Sequence, residues 1–284
     1  VKNTFRINYD IQEKPKVSII IPTRNNLGTI KRCIESIQKK TNYTNIEIII
    51  VDNASDKKEV TNYYKSLPFK ILTYTENFNF SKMNNFAVEH STGDLLLFLN
   101  DDTKVLDPFW LDELVSICLQ KDVGAVGPKL IYFDNTIQHA GILFLKTGAG
   151  FHPAMRQHKN SDVYHNTINV MKDCSAVTGA CLLTTKKIFK QIGGFDNQFD
   201  VYYGDSDLCM KIQDAGYHVV YTPFTELLHD GSVSVSHWHA GVSFFDVENH
   251  QAFIKKWPKL KNGDPYYNPN LDWDYTLQEI MTIS

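Results

Sequence analysis

No part of this chain carries a long block of charge of one sign, and no apolar run approaches the ~20 residues that a membrane-crossing helix needs. Its 29 lysines and arginines stand against 32 aspartates and glutamates, a net charge of -3. The basic stripe of a nucleic-acid binder is therefore missing, and no nucleic-acid partner is expected. Only 255–261 (KKWPKLK) is locally basic around an aromatic ring. A solvated helix end is the favoured reading there, over a peripheral contact with a membrane. The cysteines (Cys33, Cys118, Cys174, Cys181, Cys209) are odd in number and include no Cys-x-x-Cys pair. Set mostly among apolar residues, they read as buried thiols of a reducing compartment. No secretory signal is visible, and the chain opens on Val1 without an initiator methionine, as a piece of a larger protein would. Glycine is absent from Pro22-Thr23-Arg24-Asn25-Asn26, which follows the first apolar run. That absence excludes a G-x-G-x-x-G dinucleotide loop and a Walker loop.

What is present is ordinary globular material: 284 residues, 43% hydrophobic and 21% charged, enough to bury a full core. Val17–Ile21, Ile46–Val51, Phe69–Tyr74 and Leu95–Leu99 are short, nearly continuous apolar runs; the first stops at Pro22. Between them, Leu27, Ile30, Ile34 and Ile37 recur at helical spacing, and Phe80–His90 is helix-like with Ser81 as a cap. Asp107-Pro108 marks a further helix start by cap and first-turn proline. Strands that are apolar throughout, alternating with amphipathic helices, predict a mostly parallel sheet covered on both faces. The division expected is an N-terminal arm (1–16), a nucleotide-binding half (17–122), a second half of the same domain (123–240) and a C-terminal tail (241–284). In the second half, Val123–Tyr132 reads as a strand, 146–170 as a long loop, and Thr185–Gly193 and Asp205–Gly216 as helices. The pattern fades after His229.

Candidate chemistry sits where strands end. In open α/β sheets ligands bind outside the carboxyl ends of the strands. Asn100-Asp101-Asp102 directly follows LLLFL. Adjacent carboxylates there suit a hard divalent cation held against a diphosphate. The same three residues would also make a turn, and their position after a fully buried strand is what favours a ligand. Asp52-Asn53 ends the second strand likewise and could hold a base or ribose. Tyr202–Asp207 precedes a helical stretch, so Asp205 is either a helix cap, as Ser206 is, or a general base. Helix-terminal N–H groups would lower its pKa, and loss of water would raise it. His229, or His237 and His239, could supply a ligand from the far side of the site.

In order and spacing, VSIIIPTRNN, IEIIIVDNASD, NFNFSKMNNFAVEHSTGDLLLFLNDDT, VGAVGPKLIY, IQHAGI, SAVTGACLLTTKKIFKQIGGFD, GDSDLCMKI and HDGSVS resemble the family 2 glycosyltransferases of GT-A fold. IQHAGI and DPYYNPNL are similar to a bacterial subgroup that builds surface polysaccharides, including rhamnose-transferring and tandem-domain members. The resemblance implies an α/β, Rossmann-like nucleotide-diphospho-sugar transferase. It implies that Asp52 binds the nucleotide base with Pro22, Thr23, Asn25 and Asn53 around it. Asn84, Asn100 and Asp101 would complete the donor site. Asp102 would be the metal ligand of a "DxD" motif, with His229 helping, for Mn²⁺ or Mg²⁺. Asp205 would be the catalytic base of an "ED" motif, and Gly179 and Ala180 would lie near the sugar and acceptor. Two departures stand out: Asn100 occupies the first "DxD" position and Gly204 the first "ED" position. The partners implied are a UDP- or dTDP-linked donor and a glycan, lipid-linked or glycoprotein acceptor. The place implied is the cytoplasm, at the inner face of the plasma membrane. A nucleotidyltransferase would need a basic, glycine-rich loop after the first strand. A catalytically idle binding domain of a larger transferase is the other alternative.

Overall fold

The computed structural model describes residues 5–162, 164–231 and 247–268. The apolar runs form β1 (Val17–Thr23), β2 (Ile46–Asp52), β3 (Lys70–Thr73) and β4 (Leu95–Leu99), joined through α1 (Leu27–Lys40), α2 (Lys58–Lys65) and α3 (Phe80–Glu89). These four strands pair in parallel, in the order β3-β2-β1-β4. β5 (Thr103–Val105), α4 (Trp110–Cys118) and β6 (Val123–Ile131) follow, then the short β7 (Ile137–His139), β8 (Leu143–Phe144), β9 (Gly150–Phe151) and β10 (Lys172–Asp173). β11 (Cys181–Thr185), α5 (Lys186–Gln191), α6 (Gly204–Asp214), β12 (His218–His229) and α7 (Val247–Lys256) complete the described chain. β11 runs antiparallel between β4 and β6, while β12 lies parallel to β6, so one mostly parallel sheet draws on both halves of the chain.

Side-chain alternation assigns the two faces. Ile20, Ile49, Val51, Leu96 and Phe98 point into one apolar layer, with Met83 of α3, Phe189 of α5 and Leu208 of α6. Ile19, Ile21, Ile48, Ile50, Leu95 and Leu97 point into the other, with Ile30 and Ile34 of α1 and Leu114 of α4. Each such side chain contributes roughly 1.5–3 kcal/mol when fully buried. The strand ends, and the polar groups on them, are held by these layers. Among the described residues no helix is long and apolar enough to cross a membrane. All five cysteines are buried free thiols.

Five local expectations need correction. β1 does not stop at Pro22 but runs on to Thr23. β4 pairs with β1 only as far as Ile20, so the N–H that Pro22 lacks leaves no gap in that ladder. Ser81 does not cap α3: the Asn79 side chain accepts from Lys82 N–H at 2.8 Å, and Ser81 Oγ donates instead to the Phe199 carbonyl. α4 opens at Trp110, because Asp107 accepts from Phe109 N–H in a turn that precedes the helix. Beyond the point where the sequence pattern fades, α7 forms. It buries only Asn249 and Phe253, too few positions for a helical stripe. Trp257, inside the basic tract at the end of α7, is only 7% exposed. The stretch 146–170 is not wholly irregular, since it holds β9 and a 3-10 turn at Tyr164–Asn169.

β7 and the segment after β9 bring His139 against His152, with their Nδ1 atoms 2.9 Å apart. One ring must donate and the other accept, so the two cannot both be protonated. Burial pushes both pKa values down from 6.5, His139 well below it and His152 to about 4. With the folded values depressed, the unfolded chain takes up protons first as pH falls. Stability is complete above about pH 6.5 and is lost towards pH 4. The urea midpoint should drop across that window, and His152→Gln should flatten the drop. An equal drop in the variant would assign the acid sensitivity elsewhere.

Candidate active site

The ends of β1, β2, β4 and β12 and the starts of β11 and α6 meet at one edge of the sheet. At the end of β1, Thr23 Oγ1 donates to Asp101 Oδ2 at 2.5 Å, and the Thr23 carbonyl accepts from Asn53 N–H at 2.9 Å. Asp52 accepts from Ser55 N–H with both carboxylate oxygens, at 3.2 and 3.3 Å. The Asn53 amide ties back to the Tyr74 and Glu76 carbonyls. Asn25 N–H donates to Ser55 Oγ, and the Asn25 side chain bonds Asp56. Asn25 and Ala54 both have positive φ, 57° and 49°. Such backbone persists where surrounding contacts over-determine it, and it clusters at ligand sites.

After β4 the carboxylates part in character. Asp101 is buried, and burial, with the Asp102 charge adding to it, pushes its pKa up to about 7 against the Thr23 hydrogen bond. Burial also acts on Asp102. The His229 imidazole beside it and the Gly231 N–H outweigh it, so the Asp102 carboxyl lies below the usual carboxylate value. His229 Nε2 stands 3.1 Å from Asp102 Oδ1, and the Asn100 amide donates to the same nitrogen at 3.3 Å. An amide N–H can only donate, so Nε2 accepts and is free of a proton in that arrangement. Asn100 thus orients the imidazole, a task that an aspartate in its place could not perform in this way. Gly231 N–H donates to Asp102 Oδ2 at 3.1 Å, and Arg32 pairs with Asp230 at 3.2 Å.

A divalent ion would fit this pair. Asp102 Oδ1 is buried without a hydrogen-bond partner. Its 3.1 Å separation from Nε2 is close to the ~3 Å edge of an octahedron with bonds of ~2.1 Å. Among the described residues no third His, Cys, Asp or Glu joins them. The remaining positions would fall to substrate phosphates and water. His237 and His239 lie outside the described residues.

Asp205 sits in the first turn of α6, but neither it nor Ser206 caps the helix; the cap position is Tyr203, at φ 65°. Asp205 Oδ2 accepts from Gly179 N–H at 2.8 Å, and Oδ1 from Ser206 N–H at 2.7 Å. Burial still prevails over these hydrogen bonds, so its pKa is raised. The balance left open by the sequence falls on the side of a better base. On the other side of the same two-residue step, the Ala180 carbonyl accepts from Asn100 N–H at 3.0 Å. Gly179–Ala180 thus joins the Asn100–Asp102 group to Asp205. Gly204 has a packing reason: a Cβ there would stand 2.8 Å from Ser81 Oγ. Asn84 is fully buried on α3, where it donates to the Phe80 carbonyl at 2.8 Å, and its Oδ1 has no hydrogen-bond partner. Tyr203 and the Gly231 N–H escaped notice in the sequence. The glycine directly after His229-Asp230, at φ 67°, was the available signal for the second.

The Glycosyl transferase family 2 model matches residues 18–193. The chain belongs to glycosyl transferase family 2. It is 35% identical over 275 residues to the uncharacterized protein y4gI of Sinorhizobium fredii, covering 94% of this chain and 30% of that one. It is 35% identical over 272 residues to the O-antigen biosynthesis protein RfbC of Myxococcus xanthus, covering 94% and 21%. This family 2 chain therefore spans less than a third of the length of either relative. In fold it is similar to a mannosyltransferase of Pyrobaculum calidifontis solved with GDP-Man and Mn²⁺, with TM-score 0.60, 19% identity and coverage of 81% and 61%. It is also similar to GalNAc-T7 solved with UDP, GalNAc and Mn²⁺, with TM-score 0.68, 16% identity and coverage of 87% and 50%. The family 2 domain thus has the GT-A fold of these transferases.

Proposed function

We propose that this chain transfers a sugar from a nucleotide-diphosphate donor to an acceptor hydroxyl with inversion, aided by a divalent metal, during assembly of a bacterial surface glycan. The observation that carries this reading is the Gly179–Ala180 step, bonded to Asp205 on one side and to Asn100 on the other. It couples an acid–base group to a buried ligand pair, as one-step displacement on a diphosphate donor requires.

Asp52 accepts the base or ribose, with Pro22, Thr23, Asn25 and Asn53 shaping that end of the site. Thr23 and Asp101 lock the β1 and β4 ends together. Asp102 and His229 would hold the metal, which when bound would supply counter-charge for the leaving diphosphate. Asp205 takes the proton of the acceptor hydroxyl as it attacks the anomeric carbon. Its Gly179 and Ser206 hydrogen bonds fix the carboxylate in line. A surface-glycan role is supported by the likeness to the O-antigen biosynthesis protein. A second support is a 53-residue, 42% identical match to an N-acetylglucosaminyl-diphospho-decaprenol L-rhamnosyltransferase of Mycobacterium tuberculosis. UDP- and dTDP-linked sugars are the donors to try first. Five buried free thiols suit a reducing compartment, the cytoplasm, where such donors would be met.

A thermal-shift screen of nucleotides and nucleotide-sugars, with Mn²⁺ and with chelator, tests the donor half. A ligand at 100 times its Kd adds about 2.7 kcal/mol to the folded state, which a melting curve resolves. One nucleotide-sugar is expected to raise Tm only with metal, and to be turned over. The absence of a shift with all of them would overturn the reading.

A further inference from the structure

We infer that α7 is a clasp that positions Asp205, acting through Tyr203 and Asp207; the inference rests on the transferase reading for its catalytic meaning. α7 lies well beyond Asp205 in sequence, yet it packs on the turn that carries that residue. Tyr203, the residue before α6, adopts φ 65°. In that region a bulky side chain is strained and persists only where surrounding contacts hold it. The Tyr203 ring stacks on Phe253 of α7, with centroids 4.6 Å apart and planes at 29°, and its hydroxyl bonds His250 Nδ1 at 2.7 Å. One turn along α6, the fully buried Asp207 accepts from Trp257 Nε1–H at 2.9 Å and pairs with Lys256 at 2.8 Å. The approach to the turn is held as well. The Asn249 amide donates to Asp200 at 2.9 Å, and Lys256 reaches Asp196 at 2.6 Å.

Asp205 therefore lies between two residues, each gripped by α7, while its own carboxylate faces the other way, onto Gly179. α7 touches neither Asp102 nor the β-strand ends in any bond described above. Loosening it should release the base and leave the donor site intact. Tyr203, Asp207, Phe253 and Trp257 are positioning residues in this sense.

Tyr203→Gly isolates the effect, because glycine adopts positive φ freely and the turn can still form. Trp257→Phe is the second variant; it keeps a buried aromatic ring and loses the donor to Asp207 together with part of the indole's packing. In both, amide hydrogen exchange at Gly179 and Ser206, whose N–H groups bond Asp205, should quicken about tenfold while amides of β1 and β4 hold. Turnover should fall by up to about 10²-fold, the scale of a misplaced reacting group, with donor KM and the metal-dependent Tm shift unchanged. Unchanged exchange at Gly179 and Ser206 in Tyr203→Gly overturns the clasp. Faster exchange with parental turnover overturns its role in positioning the base. In a parent chain that turns over no donor, the exchange result alone decides the clasp, and the transferase reading falls separately.

Discussion

Replacing Asp205 by Asn is expected to lower kcat by about 10²- to 10⁴-fold, the contribution of a positioned base, with donor binding kept. Asparagine has nearly the same shape, and its Oδ1 can still accept from Gly179 or Ser206 N–H, but it cannot take a proton. The variant should also fold well. Burial raises the Asp205 pKa in the folded chain. The ionised carboxylate therefore costs stability as pH rises through its folded value, and a neutral amide removes that cost. Against that gain, the amide NH₂ faces whichever of the two N–H donors Oδ1 leaves, so the variant gives up one hydrogen bond. The parent's kcat should show an acid limb above the ordinary carboxylate range, because the base works only when ionised. That limb should vanish in the residual rate of Asp205→Asn. Near-parental turnover in the variant would assign the proton to another group.

Replacing Asp102 by Ala is expected to abolish the metal dependence of donor binding. The loss of affinity should exceed the roughly 10- to 100-fold that removing an outer-shell partner costs. In the proposed metal site Asp102 would supply one of two buried donor atoms, and no third His, Cys, Asp or Glu stands by among the described residues. Its removal also strips the Gly231 N–H of its acceptor and His229 of its neighbour. Asp101 would lose a repelling charge, so its pKa should come down from about 7. Calorimetric titration of the nucleotide-sugar, with Mn²⁺ and with chelator, reads the effect. Equal affinities in parent and variant under both conditions would remove Asp102 from the ligand set.

The parts that the sequence discloses are those governed by continuous burial. VSIII, IEIIIV and LLLFL announce strands because their apolar side chains enter one of two apolar layers, while Ser18 and Glu47 bond each other across neighbouring strands. Residues at their ends are then placed by the geometry of a parallel sheet, which is how Asp52 and Asn100–Asp102 could be picked out. What stayed hidden depends on contacts between distant segments. Ser81 has the chemistry of a helix cap, but the Phe199 carbonyl, 118 residues away, claims its hydroxyl. Gly204 looks like a lost carboxylate until Ser81 is placed 2.8 Å from where its Cβ would be. α7 buries too few apolar positions to show a stripe, since it holds its place through Asn249, His250 and Lys256 instead. Tyr203 at φ 65° has no local signature at all, because tyrosine is not a residue that sequence rules place in a left-handed turn.

The direction of β11 has a consequence for the economy of the design. Cys181 pairs with Leu99 and Thr185 with Leu95, so β11 begins where β4 ends. A parallel strand of five residues in that slot would have begun ~13 Å away, at the opposite edge of the sheet. The reversal delivers the peptide units just ahead of it to the reaction edge. There a pair of main-chain groups, which no substitution short of proline can delete, forms a bridge between Asp205 and the Asn100–Asp102 group. Side chains on either bank can then drift to suit a new sugar or a new acceptor while the distance between the two banks stays set by the main chain.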